Sequence, residues 1–204
     1  MIRFLPDTWL DAILRPVAMA FPNGGVYVEI IAPDFRFVFI IVLALAWAVL
    51  ARGDHAVILP GPPGAGKSTL TAALSLRGWR LLSDELTLID PETALLHGLA
   101  RPVSLKNQSI DVIRAFASDA VIGPIARDTA KGTVAHLKPS TPSVASVHIP
   151  AKPVWVVFPR WEKDAGIRFG TMSKALAFMW FAEQGFNYNV HGETGFSVLT
   201  NTID

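Results

Sequence analysis

Apolar residues in this chain come in short runs separated by turn signals, and their spacing changes several times between strand-like and helix-like periods. The opening segment FLPDTWLDAILRPVAMAF has the pattern of a short amphipathic helix stopped near Pro16. PNGG at residues 22 to 25 predicts a turn before the strand-like VYVEIIA. An uncharged stretch from Phe37 to Ala51, FVFIIVLALAWAVLA, lies between Arg36 and Arg52. As a helix it would span about 22 Å, short of the ~30 Å of a bilayer core. Its β-branched and aromatic residues (Val38, Phe39, Ile40, Ile41, Val42, Trp47, Val49) instead predict buried strands. AWAVLARGDHAVILPG then reads as two apolar strands joined by the turn Arg52-Gly53-Asp54-His55, the second ending at Pro60.

A helix is expected from Lys67 to Arg77, with Gly78 where a C-terminal cap glycine belongs. WRLLSDELTLID is strand-like up to Asp90-Pro91. A loop with Arg101-Pro102, a helix near SIDVIRAFA and a polar stretch DTAKGTVAHLKPSTPS follow. Val154 to Phe158 form another buried strand, and Lys174 to Glu183 another helix. This succession predicts an α/β fold with flanking helices. Residues 1–34 read as an N-terminal cap or partial lobe and residues 35–204 as the main domain. The ending GFSVLTNTID looks like a helix cut short, so an oligomerisation or acceptor-binding element is expected beyond it.

Composition narrows the class. The 204 residues are 51% hydrophobic and 17% charged, with a formal net charge of +1, which excludes a disordered polyelectrolyte and argues against a broad nucleic-acid-binding face. There is no cysteine, hence no disulfide, thiolate ligand or cysteine nucleophile. Asp7 and Asp11 interrupt the one apolar stretch near the N-terminus, so a signal peptide is not expected and a cytoplasmic location is. Membrane contact through residues 37 to 51 is the alternative.

Chemistry concentrates at residues 61 to 68, GPPGAGKS, which satisfies G-x-x-x-x-G-K-[ST] between an apolar strand and a helix. Gly61, Gly64 and Gly66 let the backbone turn tightly around Pro62, Pro63 and Ala65. Successive amides and the helix N-terminus then point at anionic oxygens. Lys67 would reach the β- and γ-phosphates of ATP, Ser68 would offer its hydroxyl to Mg²⁺, and Thr69 continues the loop. The second element is Asp84-Glu85. A helix of about eleven residues descends roughly 16 Å, and a strand from Trp79 climbs back roughly 20 Å. A right-handed crossover makes that strand parallel to the one before the loop, which returns the acidic pair to the sheet edge where phosphates would sit. One carboxylate would hold Mg²⁺ and the other would accept a hydroxyl proton.

Phosphoryl transfer also needs positive charge near the equatorial oxygens. Arg101, Lys106, Lys131 and Arg160 are the candidates, with Lys131 beside Gly132 having the look of a mobile loop. The five histidines, His55, His97, His136, His148 and His191, show no metal-ligand spacing, and only His136 falls near the phosphates. Trp47, Trp79, Trp155, Trp180 and Phe181 read as core rather than as a base-stacking platform.

The hairpin into the glycine loop, the acidic pair in LLSDELTLID, RPVSLKN and the later VWVVFPR together resemble the HPr kinase/phosphorylase-like proteins over residues 35 to 190. Within them the chain is most similar to the HPr kinase-related kinase A group found near exosortase genes. The resemblance implies a nucleotide-dependent serine kinase on a fold similar to phosphoenolpyruvate carboxykinase, an α/β P-loop kinase with a mixed, curved sheet around the phosphate loop. Gly61 to Ser68 would be the phosphate loop, Ser68 and Asp84 the Mg²⁺ side, and Glu85 the position beside the acceptor hydroxyl. The chain departs from HPr kinases in having Asp84-Glu85 for two aspartates and Ala46-Trp47 where they carry a histidine. RPVSLKN also differs from the glycine-containing signature of bifunctional HPr enzymes, which argues against phosphorylase activity and against HPr as the acceptor.

Three functions fit these residues: a P-loop phosphotransferase acting on a protein or small-molecule hydroxyl, a nucleotide-binding switch or assembly factor that has lost transfer, and a small-metabolite kinase. The strand hairpin leading into the loop weighs against the third. A homo-oligomer is compatible with each.

Overall fold

A computed structural model describes residues 47–203 except 164, 168, 186, 187 and 189–191. The expected helix near Pro16, the PNGG turn, the VYVEIIA strand, the 1–34 cap and residues 37 to 46 of the apolar stretch lie outside the described residues.

The hairpin before the glycine loop forms as its sequence requires. Strands β1 (Ala48–Arg52) and β2 (His55–Leu59) pair antiparallel, with Arg52 opposite His55. That register leaves Gly53 and Asp54 as a two-residue turn, and Gly53 takes φ +64°, the left-handed first position such a turn needs. Helix α1 (Lys67–Leu76) follows the loop. It ends in a Schellman arrangement: Gly78 at φ +86° donates to the Ser75 carbonyl at 3.2 Å, and Trp79 N–H to the Leu74 carbonyl at 3.1 Å.

β3 (Arg80–Ser83) pairs antiparallel with β1. It thus runs in the same direction as β2, as the crossover rule requires, but with β1 inserted between the two. The short β4 (Leu88–Ile89) and β5 (Leu96–His97) pair with each other. β6 (Val103–Lys106) leads into α2 (Gln108–Phe116), and β7 (Ala126–Thr129) turns into β8 (Gly132–Leu137). After α3 (Thr141–Ala145), β9 (Lys152–Val156) lies parallel to β2, and α4 (Lys174–Gln184) and α5 (Glu193–Ile203) close the described chain.

The protein is mixed α/β with several sheets and flanking helices. The mixed sheet has the order β3-β1-β2-β9, and a separate antiparallel sheet has the order β6-β8-β7. β1 and β2 are covered on both faces, which explains their unbroken apolar runs. One face presents Val49, Ala51, Ala56 and Ile58 to Trp47, Phe181 and Leu199, while the other presents Ala48, Leu50, Val57 and Leu59 to Leu70 and Leu74 of α1. A second cluster joins Ala72 of α1 to Val103, Leu105, Ile110, Ile113, Ala135 and Leu137, so the β6-β8-β7 sheet is packed against the helix that follows the glycine loop.

Three expectations are corrected. The polar stretch from Asp128, whose Lys131-Gly132 has the look of a mobile loop, folds as the β7–β8 hairpin and α3. β7 is exposed along its whole length and β8 fully buries just Ala135 and Leu137, so little apolar pattern marks either strand. The segment from Val154 is not a buried strand and Trp155 is not core: β9 is an edge strand, and Val154 and Trp155 are 43% and 66% exposed on it. WRLLSDELTLID is not one strand, because β3 stops at Ser83 and Asp84-Glu85 occupy a bend.

Candidate functional site

The segment 61–66 leaves the end of β2 and enters α1, so it sits at the carboxyl end of the mixed sheet. Gly64 and Gly66 adopt φ +85° and +90°, conformations that favour glycine, and Gly66 is the N-cap of α1. Ala65 N–H donates to the Pro62 carbonyl at 3.2 Å, and Leu70 N–H to the Gly66 carbonyl at 2.9 Å. Pro62, Pro63 and Gly64 form the exposed rim of the loop, while Gly61 and Ala65 are buried beneath it. The Lys67 ammonium is folded over the loop, donating to the carbonyls of Gly61 (2.6 Å) and Pro62 (2.7 Å). Partial burial holds its pKa below the usual lysine value; the Asp84 charge opposes that and Lys106 adds to it.

Asp84 and Glu85 are treated differently by the bend after β3. Leu86 N–H donates to Ser83 Oγ at 3.0 Å, closing the turn that carries the pair. Asp84 is only 5% exposed, whereas Glu85 is exposed. One Asp84 oxygen, Oδ2, accepts the Ser104 backbone N–H at 2.9 Å and the Ser68 hydroxyl at 3.4 Å. The other, Oδ1, is buried without a hydrogen-bond partner. Burial is the main reason that the Asp84 carboxyl pKa is pushed up to about 6; the Glu85 charge adds to the rise, and the Ser104 amide, the Ser68 hydroxyl and Lys106 oppose it.

Of the four candidate cations, Lys106 alone interacts electrostatically with both Lys67 and Asp84. It is half-buried on β6, two residues beyond Ser104 and hence on the same face of that strand. His136 of β8 stands opposite Ser104 across the ladder, so it shares that face and is exposed there. Arg101 and Arg160 are exposed. Lys131 is exposed at the β7–β8 turn, where its N–H donates to Thr129 Oγ1 at 3.1 Å.

Of the residues after β9, sequence reasoning singled out Arg160 and missed Trp161. Val157 N–H donates to the Ile58 carbonyl at 2.9 Å, and Trp161 N–H donates to the Ala65 carbonyl of the glycine loop at 3.1 Å. The sequence carried no signal for Trp161, because its place depends on the pairing of β9 with β2. At the hairpin-turn end of the same strands, away from the loop, a shallow pocket of about 310 Å³ is lined by Arg52, His55, Ala56, Trp79, Val154 and Trp155.

The donor set fits a divalent cation held in part by substrate. Mg²⁺ is typically bound through one or two carboxylates and the phosphates of its ligand rather than by an all-protein cage. Asp84 Oδ1 is buried and without a partner on the carboxylate whose other oxygen takes the Ser68 hydroxyl, which is the kind of oxygen donor such an ion uses. Among the described residues no three His, Cys, Asp or Glu side chains are grouped as a self-sufficient metal site. Among them, too, no helix is long and apolar enough to cross a membrane.

No protein-family model matches the chain, and no significant match to it is found among curated proteins or solved structures.

Proposed function

We propose that the protein is a P-loop phosphotransferase of the HPr kinase-like type, cytoplasmic, which binds ATP with Mg²⁺ and transfers the γ-phosphoryl group to a hydroxyl of a protein other than HPr. The observation that carries this reading is the Ser68–Asp84 contact at 3.4 Å, across 16 positions of sequence, with Asp84 Oδ1 left unpartnered beside it. Ser68 and Asp84 would hold Mg²⁺, which supplies charge neutralisation at the bridging phosphates when bound. Amides of residues 64 to 68 bind the phosphate oxygens. Lys67 exchanges its carbonyl partners at Gly61 and Pro62 for phosphate oxygens, and Lys106 adds a second positive charge on the same side. Glu85, on the same bend but exposed, takes the acceptor hydroxyl proton as the acceptor oxygen bonds to phosphorus and the bond to ADP breaks.

A second reading, a nucleotide-binding switch without transfer, is favoured by Trp47. It stands where HPr kinases have a histidine, is fully buried and packs on Phe181 at 4.1 Å, so no titratable group assists the base there.

The test is a γ-phosphate labelling assay with Mg²⁺, purified protein and lysate, using Lys67→Ala as control. Labelling of one discrete species, lost in the control, supports the kinase. Tight Mg²⁺-nucleotide binding with no labelled product supports the switch, and no nucleotide binding at all overturns both.

A further inference from the structure

In the mixed sheet β9 flanks β2 on the side away from β1 and β3, and the chain after β9 brings one aromatic residue, Trp161, among charged neighbours to the glycine loop. β2 and β9 are parallel neighbours, so their following segments emerge side by side at the carboxyl edge of the sheet, where open α/β sheets bind ligands. The second segment is tied to the first by the Trp161 N–H bond to the Ala65 carbonyl at 3.1 Å. Trp161 Cβ stands 3.2 Å from the place a Cβ on Gly66 would take, so the side chain starts directly against the N-cap of α1. Yet the residue is 63% exposed. Because the backbone bond holds its root, the indole is carried at the loop without being packed into the core.

A nucleotide has the same division: phosphates and metal at one end, a flat aromatic base at the other. The polar end of the site is Ser68, Asp84 and Lys106, and the aromatic end is Trp161. We infer that Trp161 is the stacking residue for the base of the nucleotide whose phosphates occupy residues 61–68. This inference rests on the phosphate-loop reading given above. Stacking reads the face of a base and not its hydrogen-bonding edge, so Trp161 raises affinity for ATP and GTP alike.

The experiment is calorimetric titration of the full chain with Mg²⁺-ATP, Mg²⁺-GTP and Mg²⁺-tripolyphosphate, for the wild type, W161A and W161F. The wild type should bind both nucleotides at least about tenfold more tightly than tripolyphosphate. W161A should lose that advantage while keeping its affinity for tripolyphosphate, and W161F should retain most of it. The unchanged tripolyphosphate affinity also certifies that W161A is folded. Wild-type binding of tripolyphosphate with W161A leaving ATP affinity unchanged overturns the inference and spares the phosphate loop. Equal weakening of ATP and tripolyphosphate in W161A overturns it too, since Trp161 would then shape the loop rather than meet the base. Failure of the wild type to bind any of the three ligands overturns the phosphate loop itself and the inference with it.

Discussion

Ser104 donates its backbone N–H to Asp84 Oδ2 at 2.9 Å, across 20 positions of sequence. The bond joins the bend after β3 to the separate β6-β8-β7 sheet and fixes which oxygen of Asp84 is occupied. Oδ2 takes the Ser68 hydroxyl as well, Oδ1 is left without a partner, and Lys106 lies two residues further along the strand that supplies the amide.

The two acidic neighbours should separate in kinetics. Asp84→Asn removes the buried carboxylate, so it should abolish the Mg²⁺ dependence of nucleotide binding and reduce kcat by two orders of magnitude or more. Glu85→Gln should lower kcat about 10²- to 10⁴-fold and leave nucleotide affinity within about twofold. Equal loss of affinity in both variants would place Glu85 with the metal instead.

Asp84 also makes stability depend on pH. Its folded pKa of about 6 lies above the ordinary 3.8, so the folded state binds this proton more tightly than the unfolded state does. Between about pH 4 and 6 stability therefore falls as pH rises, and it levels off above that window. In the metal-free protein the cost at neutral pH is on the order of 2–3 kcal/mol. Asp84→Asn keeps an acceptor for the Ser104 amide and loses the charge. It should be more stable than wild type at pH 7.5, and the difference should shrink towards pH 4. Urea midpoints of both proteins across that range check this, and a difference independent of pH would contradict it.

Ser143 is fully buried in α3, and its hydroxyl accepts the Leu81 N–H at 2.9 Å. Ser143→Ala leaves that amide of β3 without a partner in a dry site, costing about 1–3 kcal/mol. Thermal unfolding should show a fall of several degrees. Since β3 delivers Asp84, affinity for Mg²⁺-nucleotide should fall as well when measured close to the melting range.

The β7–β8 turn is locked to Asn107. Thr133 N–H donates to Asn107 Oδ1 at 3.0 Å, and a Cβ on Gly132 would meet that oxygen at 2.5 Å with φ at +81°. Asn107 itself holds φ +50° and ψ −125°, a region that favours glycine. Gly132→Ala should destabilise by about 1–3 kcal/mol. Adding Asn107→Gly removes the colliding oxygen and relaxes φ, so the double variant should be more stable than the two single changes predict by addition. Simple additivity in a denaturant-based cycle would argue against the contact.

Much of the local structure was legible. Arg52-Gly53-Asp54-His55 encodes its turn through a glycine suited to φ +64°, and Gly78 ends α1 because a left-handed residue satisfies the last carbonyls. The glycine loop and helix α1 appear where the motif places them. The β7–β8 hairpin was illegible because β7 is exposed throughout and β8 fully buries just Ala135 and Leu137, so the segment looks like polar loop. Trp155 was misplaced because hydrophobicity alone does not tell an edge strand from a central one.

By itself, then, the sequence determined the elements set by neighbours a few residues apart: hairpin, glycine loop, helix and its cap, and the existence of an acidic pair 16 to 17 residues beyond Ser68. Only the tertiary structure decided what depends on distant partners. The turn on Ser83 and the amide of Ser104 put Asp84 inside and Glu85 outside. The strand that gives the Ser104 amide to Asp84 brought Lys106 there rather than Lys131, the cation the sequence favoured, and the parallel union of β2 with β9 brought Trp161 to the loop. Local propensity acts over a turn or two of chain, whereas burial and the satisfaction of buried polar groups are settled by whatever the fold packs alongside.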